Sequence, residues 1–107
     1  MQGYRIFRTA SFELDFQKMD SFHQTRVEQF MHQLNESALA VGKPLGFTWF
    51  REKKFNGSRM YYLVYEEWKA VLAVGFSDKK DQPKIITAIR INLHVYRQYM
   101  HGLLFGE

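Results

Sequence analysis

The sequence contains no cysteine, and this absence excludes several kinds of chemistry at once. Disulfide bonds, thiolate zinc sites, iron–sulfur clusters and cysteine nucleophiles all require that side chain. Apolar runs are short as well. The stretch from Ala70 to Val74 is far below the roughly 20 residues of a membrane-spanning helix, and the N-terminus lacks the apolar core of a signal peptide. We therefore expect a cytoplasmic protein without a membrane segment.

Proline is scarce, with two residues among 107, whereas hydrophobic residues make up 46% and aromatic residues 17% of the chain. A chain of this size and composition buries roughly two thirds of its unfolded surface around one core, so intrinsic disorder is excluded as its main state. A compact domain typically takes about 100 to 200 residues. The sequence therefore predicts one domain, residues 1–107.

The net charge of +4 is concentrated in the later part of the chain. Residues 1–42 contain four basic and five acidic side chains, whereas residues 43–107 contain eleven basic and six acidic side chains. A basic surface attracts a polyanion such as nucleic acid, or an acidic protein. The asymmetry favours a partner from one of these two classes.

The N-terminal part of the chain predicts a strand and a helical hairpin. Residues 3–8 alternate in the manner of a strand. Two sets of apolar residues at helical spacing follow, Phe12, Phe16 and Met19 in the first and Val27, Phe30, Met31, Leu34 and Ala38 in the second. Asp20 or Ser21 is expected to cap the second helix, and Gly42 to end it in the left-handed conformation.

A β-hairpin is the strongest local feature of the sequence. Residues 47–55 and 58–65 are rich in aromatic and β-branched types. Between them, Asn56 and Gly57 favour the positive φ angles of a two-residue turn. The pattern predicts two antiparallel strands joined by a tight turn, with the register fixed by that turn.

The tight turn places Lys54 directly opposite Arg59, at strand ends that are expected to face solvent. Like charges in this arrangement are destabilising unless an anion or a carboxylate lies between them. Glu52 lies on the same face two residues before Lys54 and is a candidate for that carboxylate. The group is therefore either a surface ion pair or a cradle for a phosphate.

The remainder of the chain predicts a further strand and one long helix. Residues 70–76 are apolar on both faces, as in a strand covered on both sides. Asp81 and Pro83 are typical of a helix start, and five apolar residues then recur at helical spacing: Ile85, Ile89, Leu93, Tyr96 and Met100. The predicted fold class is α+β, an antiparallel β-meander with an N-terminal strand and helical hairpin packed on it and a C-terminal helix.

A second basic group follows the last strand and comprises Lys79, Lys80 and Lys84. Backbone N–H groups at a helix start add to the attraction for an anion. A meander places the end of its third strand beside the start of its second, so this group is expected to converge with Lys54 and Arg59. Cations that converge in this way can stabilise the charge of a phosphorane.

The last helix carries a basic and imidazole face opposite its apolar stripe, formed by Thr87, Arg90, His94, Arg97 and His101. This face is either a solvated surface or a groove for a nucleic-acid backbone or an acidic partner segment. His94 is also a candidate acid or base near neutral pH. No zinc-binding pattern or carboxylate-rich loop occurs, so neither a metal nor a cofactor is expected.

The segment from Phe50 to Ile86 resembles the RelE/ParE superfamily of toxins from bacterial and archaeal toxin–antitoxin pairs. Together with the elements before and after this segment, the resemblance extends over nearly the whole chain. The residues that are most similar to the HigB or phage-protein branch are Phe76, Lys79, Lys80, Pro83, Ala88 and Tyr99. The resemblance implies a RelE-like fold and a cognate antitoxin protein as partner.

The resemblance also implies a ribosome-associated mRNA endonuclease that needs no metal, in which the RNA 2′-hydroxyl is the nucleophile. By position, it assigns Glu52, Lys53 and Lys54 to basic or acid–base roles, Arg59 to phosphate binding, and Lys79 or Lys80 to a second cationic position. With the helix face added, the candidate catalytic residues are Glu52, Lys54, Arg59, Lys80 and His94. The candidate RNA-binding residues are Lys53, Lys79, Lys84, Arg90 and Arg97.

Two other functions stay open within the same superfamily, a ParE-like toxin that inhibits a DNA topoisomerase without catalysis and an inactive toxin homologue. The usual Y-R-x-x-Y of the middle strand reads YYLVY from Tyr61 to Tyr65, without an arginine. Ile85 and Ile86 stand where many RelE-type nucleases have a tyrosine. These departures favour the binding toxin, whereas the converging cations favour the nuclease.

Overall fold

The structure, a computed structural model, describes residues 3–106. Its elements are β1 (Arg5–Arg8), α1 (Ala10–Gln17), α2 (Ser21–Ser37), β2 (Lys43–Phe47), β3 (Phe50–Phe55), β4 (Ser58–Tyr65), a 3₁₀ turn (Glu66–Trp68), β5 (Ala70–Asp78), α3 (Gln82–Ile91) and α4 (Leu93–Phe105). The five strands form one sheet in the order β1-β5-β4-β3-β2. Strand β1 is parallel to β5, and all other neighbours are antiparallel. The predicted α+β class with an antiparallel meander is confirmed.

Helices cover both faces of the sheet. Helices α1 and α2 contribute Phe12, Phe30 and Leu34 to a core cluster on one face, where they pack against side chains of β4 and β5. Helices α3 and α4 contribute Ile89 and Met100 to a second cluster on the other face. Because both faces are covered, β5 is buried along nearly its whole length, as its apolar sequence predicts. No helix within residues 3–106 is long and apolar enough to cross a membrane.

The N-terminal strand and helical hairpin form as the sequence predicts. Strand β1 begins at Arg5, within the predicted range. Asp20 caps α2, since its carboxylate accepts a hydrogen bond from the backbone N–H of His23 at 2.8 Å. The prediction for Gly42 is wrong, because α2 ends at Ser37. Gly42 does have a positive φ of 74°, but it lies directly before β2 and caps no helix.

The strand predicted at residues 47–55 is two strands. Strand β2 ends at Phe47, the chain turns at Thr48 and Trp49, and β3 begins at Phe50. Strand β2 contains Pro44 and Gly46, which weaken the sequence pattern of a strand. Proline is tolerated there because β2 lies at the edge of the sheet, where a ladder hydrogen bond can be missing.

The predicted hairpin and its register are confirmed. Strands β3 and β4 pair Lys54 with Arg59, and the turn lies at Asn56 and Gly57. Asn56 has a φ of 48°, in the left-handed region, whereas Gly57 lies outside that region. Only one of the two expected positive φ angles is therefore present.

The single long helix predicted at the C-terminus is wrong, because α3 and α4 are separated at Asn92. The Asn92 side-chain amide donates a hydrogen bond to the carbonyl of Ala88 at 2.9 Å. Side chains of this kind compete with the helical backbone for hydrogen bonds and favour helix ends. The apolar stripe of the two helices nevertheless packs on the sheet as predicted.

Tyr62 is expected to make the fold less stable at alkaline pH. Its buried hydroxyl donates a hydrogen bond to the carbonyl of Val41 at 2.8 Å, and burial raises the pKa of Tyr62 to about 12. Folding therefore favours the neutral phenol. The stabilisation is fully present below the ordinary pKa of 10 and is lost as the pH rises towards 12.

We expect Tyr62 to lower the free energy of unfolding by about 1.4 kcal/mol per pH unit within that range. Urea unfolding of the wild type and of Tyr62→Phe at a series of alkaline pH values measures this slope. Other buried tyrosines contribute equally to both proteins, so the difference between the two slopes isolates Tyr62. Equal slopes in the two proteins would contradict the expectation.

Candidate functional site

A buried pair of opposite charges lies on the face of the sheet that α3 covers. Glu52 of β3 is 6% exposed and Arg59 of β4 is 7% exposed. The Arg59 Nε lies 3.9 Å from the Glu52 Oε1. The Gln82 side chain, at the first position of α3, donates to the same carboxylate oxygen at 2.9 Å. The Glu52 carboxylate therefore faces Arg59 within the sheet and also fixes the start of α3 to the sheet.

The Arg59 side chain is not fully satisfied by its surroundings. Its Nε is buried and makes no hydrogen bond within residues 3–106. An arginine cannot lose its proton in a protein, and a buried donor without an acceptor costs about 1–3 kcal/mol. The prediction that Arg59 faces solvent is therefore wrong. Buried charges with unused donors are frequent at functional sites, although this Nε is closed to solvent and meets an anion only if a neighbouring side chain moves.

The predicted convergence of cations at this end of the sheet is observed. Lys54 is exposed and lies opposite Arg59 in the β3–β4 ladder. Arg59 also pairs with Ser77 of β5, just before the loop that carries the exposed Lys79 and Lys80. Lys84 is exposed on the first turns of α3. Exposed lysines from three neighbouring segments therefore lie at the same end of the sheet as the Glu52–Arg59 pair.

Sequence reasoning missed three polar residues of this site. The Tyr61 and Ser77 hydroxyl groups are hydrogen bonded at 2.7 Å in the interior, and burial raises the pKa of Tyr61. The register already placed Tyr61 opposite Glu52, so the pattern of the strands was sufficient to find it. No feature of the sequence pointed to Gln82, whose role depends on how α3 docks on the sheet.

Lys53 lies away from this site. It alternates with its neighbours on β3 and therefore points to the face that α2 covers. Its ammonium group lies over the rings of Phe30 and Phe55, 5.4 and 5.9 Å from their centroids. Lys53, a candidate RNA-binding residue, therefore lies on the opposite face of the sheet from Lys54, because successive strand residues face opposite sides.

His94 and Arg97 lie at the opposite end of the sheet. Both line a cavity beside Tyr65, and Tyr65 follows Arg59 by six residues on β4, or about 20 Å at roughly 3.3 Å per residue. Arg97 is paired with Glu67 at 2.5 Å. The structure therefore separates His94, a predicted catalytic residue, from the other four.

The cavity at this far end has a volume of about 450 Å³ and a mostly apolar lining that includes Trp49, Leu63 and Leu93. The hydroxyl of Tyr65 is buried in this region without a hydrogen-bond partner among the described residues. Burial raises the pKa of Tyr65, so the phenol stays neutral. An unsatisfied hydroxyl of this kind costs about 1–3 kcal/mol and makes this end of the sheet locally less stable.

Arg90, a predicted RNA-binding residue, lies against the edge strand. Its Nη2 donates to the carbonyl of Leu45 in β2 at 3.2 Å. No group of three or more histidine, aspartate or glutamate side chains within residues 3–106 is placed to hold a metal ion.

Solved structures match the chain over most of its length, although no protein-family model and no curated protein sequence matches it. The free state of an arginine-to-alanine double mutant of the E. coli toxin RelE matches with a TM-score of 0.69 and 15% identity, over 82% of this chain and 96% of that chain. The chain has the RelE fold. The resemblance noted in the sequence is thus confirmed at the level of fold.

Two complexes with antitoxins match similarly. The RelBE2 toxin–antitoxin complex from Mycobacterium tuberculosis has a TM-score of 0.63 and 22% identity, over 74% of this chain and 94% of that chain. The E. coli RelE mutant with a peptide of the antitoxin RelB has a TM-score of 0.64 and 16% identity, over 78% and 94%. Likeness at these identities establishes the RelE fold alone, so activity has to be argued from the site.

Proposed function

We propose that this protein is the toxin of a toxin–antitoxin pair and that it cleaves mRNA at the Glu52–Arg59 site. The RelE fold supports the toxin role, since matching structures include RelE toxins bound to RelB antitoxins. The basic character of residues 43–107 supports an antitoxin segment with acidic and apolar residues as the cellular partner. The ribosome as the place of cleavage, and the closer likeness to the HigB branch, rest on the sequence resemblance.

The observation that carries the nuclease proposal is the buried Glu52–Arg59 pair with exposed lysines at the same end of the sheet. Lys54 lies opposite Arg59 in the β3–β4 ladder, and the Lys79–Lys80 loop begins two residues after Ser77, the neighbour of Arg59 on β5. A preorganised set of donors of this kind stabilises negative charge that develops on a phosphoryl group. Arg59, Lys54 and Lys80 are therefore the groups that we assign to the transition state.

The reaction that fits these groups uses the RNA itself as nucleophile. The 2′-oxygen attacks the adjacent phosphorus, and the bond from phosphorus to the 5′-oxygen breaks, which leaves a 2′,3′-cyclic phosphate and a 5′-hydroxyl. The 2′-hydroxyl loses one proton and the 5′-oxygen gains one. Of the two candidates for proton transfer, only Glu52 lies in the site, since His94 is at the other end of the sheet.

The test compares cleavage of a ribosome-bound mRNA with cleavage of the same mRNA carrying a 2′-deoxy sugar at the cleaved nucleotide. We expect cyclic-phosphate ends from the first substrate and no cleavage of the second. Cleavage of the deoxy substrate would contradict the proposed nucleophile. Inhibition of DNA supercoiling without new mRNA ends in induced cells would instead support the topoisomerase-binding alternative.

A further inference from the structure

Two aromatic rings lie stacked and exposed at the edge of the sheet, away from the Glu52–Arg59 pair. Phe47 ends β2 and Trp49 lies in the turn that follows. Their ring centroids are 4.6 Å apart, and the ring planes differ by only 15°. Phe47 is 46% exposed and Trp49 is 36% exposed. Large aromatic side chains are usually buried, so a flat exposed pair indicates a surface that a partner covers.

The cavity beside Tyr65 also lies next to the Phe47–Trp49 pair, because Trp49 is part of its lining. Its volume of about 450 Å³ is within the range of about 300–1,000 Å³ found for small-molecule sites. The lining contains two carboxylates, those of Glu66 and Glu67, and each is paired with a cation, Lys69 at 2.8 Å and Arg97 at 2.5 Å. No unpaired carboxylate of the lining therefore repels an anionic ligand.

Positive charge extends along β2 from the Glu52–Arg59 pair to the aromatic pair. Lys43, at the start of β2, is exposed and lies opposite Glu52 in the ladder. Arg90 contacts the middle of β2 through the carbonyl of Leu45. Within residues 3–106 neither cation forms an ion pair with a carboxylate. The edge of the sheet is thus suited to follow a phosphate backbone.

We infer that Phe47 and Trp49 form a stacking platform for a base of single-stranded RNA, with the strand running along Lys43 and Arg90 towards Arg59. The inference rests on the proposed function, because it names a second contact of the same substrate. A planar base matches the flat, nearly parallel ring pair better than an aliphatic side chain does. Stacking of this kind contributes about 1–3 kcal/mol per base and tolerates any base.

The Tyr65 hydroxyl does not carry this recognition. It is closed to solvent, so a bound base reaches it only if a side chain of the cavity wall moves. Stacking on the exposed rings, together with the cations of the edge, is available without any such movement. The expected binding is therefore tolerant of sequence and weakens as salt is added.

The test measures binding of a labelled 2′-O-methyl oligouridylate, which cannot be cleaved because its 2′-oxygen is blocked, by fluorescence anisotropy. A second oligomer has the same backbone with abasic nucleotides. We expect Trp49→Leu to raise the Kd for the first oligomer between about fivefold and a hundredfold, the range that a loss of stacking predicts. The abasic oligomer should bind the wild type and the variant equally well.

The control is Phe22→Leu, which changes an aromatic ring that is 62% exposed on α2, and it should leave both affinities unchanged. Melting curves establish that each variant is folded, and Phe47→Leu provides a second substitution within the platform. An unchanged Kd in both platform variants would overturn the inference, as would equal binding of the two oligomers by the wild type. A platform that contacts a protein segment instead would give that same unchanged Kd.

These assays test the proposed RNA cleavage and the stacking platform independently of each other. A protein that leaves RNA intact but distinguishes the two oligomers through Trp49 contradicts the nuclease and supports the platform. A protein that cleaves RNA and binds the two oligomers equally supports the nuclease and contradicts the platform.

Discussion

Replacing Gly42 with alanine is expected to lower the free energy of unfolding by about 3 kcal/mol. A Cβ at this position would lie 2.1 Å from the Tyr62 Oη and 2.8 Å from the backbone oxygen of Glu52. Tyr62 is buried and its hydroxyl is bonded to Val41, so it cannot move aside without losing that bond. The φ of 74° adds about 1–2 kcal/mol for an L-residue, and overpacking adds about 1–3 kcal/mol.

Thermal unfolding followed by circular dichroism measures this effect. For a domain of this size, a loss of about 3 kcal/mol corresponds to a fall in Tm of roughly 12 °C or more. Gly57→Ala is the matched control, because Gly57 lies outside the left-handed region and a Cβ there has no neighbour within 4 Å. A Gly42→Ala protein that melts together with the control would show that the chain before β2 adapts easily.

These two glycines illustrate what the sequence can predict about the fold. Asn56-Gly57 correctly predicted a tight turn and hence the register of β3 and β4, since local turn chemistry determines both. The sequence could not show that Gly42 is needed for its contact with Tyr62. That requirement arises only when β4 is paired with β3, because the Tyr62 ring of β4 then reaches the segment before β2.

The errors in element boundaries have similar physical causes. Strand β2 was missed because Pro44 and Gly46 are rare in strands, and only its place at the sheet edge makes them acceptable. The break at Asn92 was missed because the apolar spacing continues across it from Ile89 to Tyr96. Hydrophobic periodicity indicates which residues face the core, but it does not reveal a break between two consecutive helices.

For the candidate site, pairing within the sheet could be predicted and docking of the helices could not. The register brought Lys54 and Arg59 together, and the meander brought the Lys79–Lys80 loop beside them. The helical spacing that grouped His94 with Arg90 says nothing about which end of the sheet each residue reaches. The same limit explains why the hydrogen bond from Gln82 to Glu52 was not foreseen.

Replacing Arg59 with alanine is expected to destabilise the fold by about 3 kcal/mol. The change leaves the Glu52 carboxylate buried without its cation, and breaking a buried pair in this way typically costs about 3–5 kcal/mol. The hydrogen bond from Gln82 compensates for part of this loss. Reduced activity of this single variant therefore mixes a weaker fold with a missing catalytic group.

The double variant Glu52→Gln/Arg59→Ala is expected to separate the two effects. A neutral amide removes the unpaired charge, so the free energy of unfolding should return to within about 1 kcal/mol of the wild type. Glu52→Gln alone serves as the reference for any loss of proton transfer.

Adding Arg59→Ala to Glu52→Gln should lower RNA cleavage further, by on the order of a hundredfold, the usual loss when one donor to the transition state is removed. The rate of cyclic-phosphate formation measures this loss. Lys18→Ala, which changes an exposed lysine directly after α1, should leave the rate unchanged. If a folded double variant cleaves RNA as fast as Glu52→Gln alone, Arg59 makes no contact with the transition state. The buried pair would then be a structural element, and the groups that cleave the RNA would lie elsewhere on the protein.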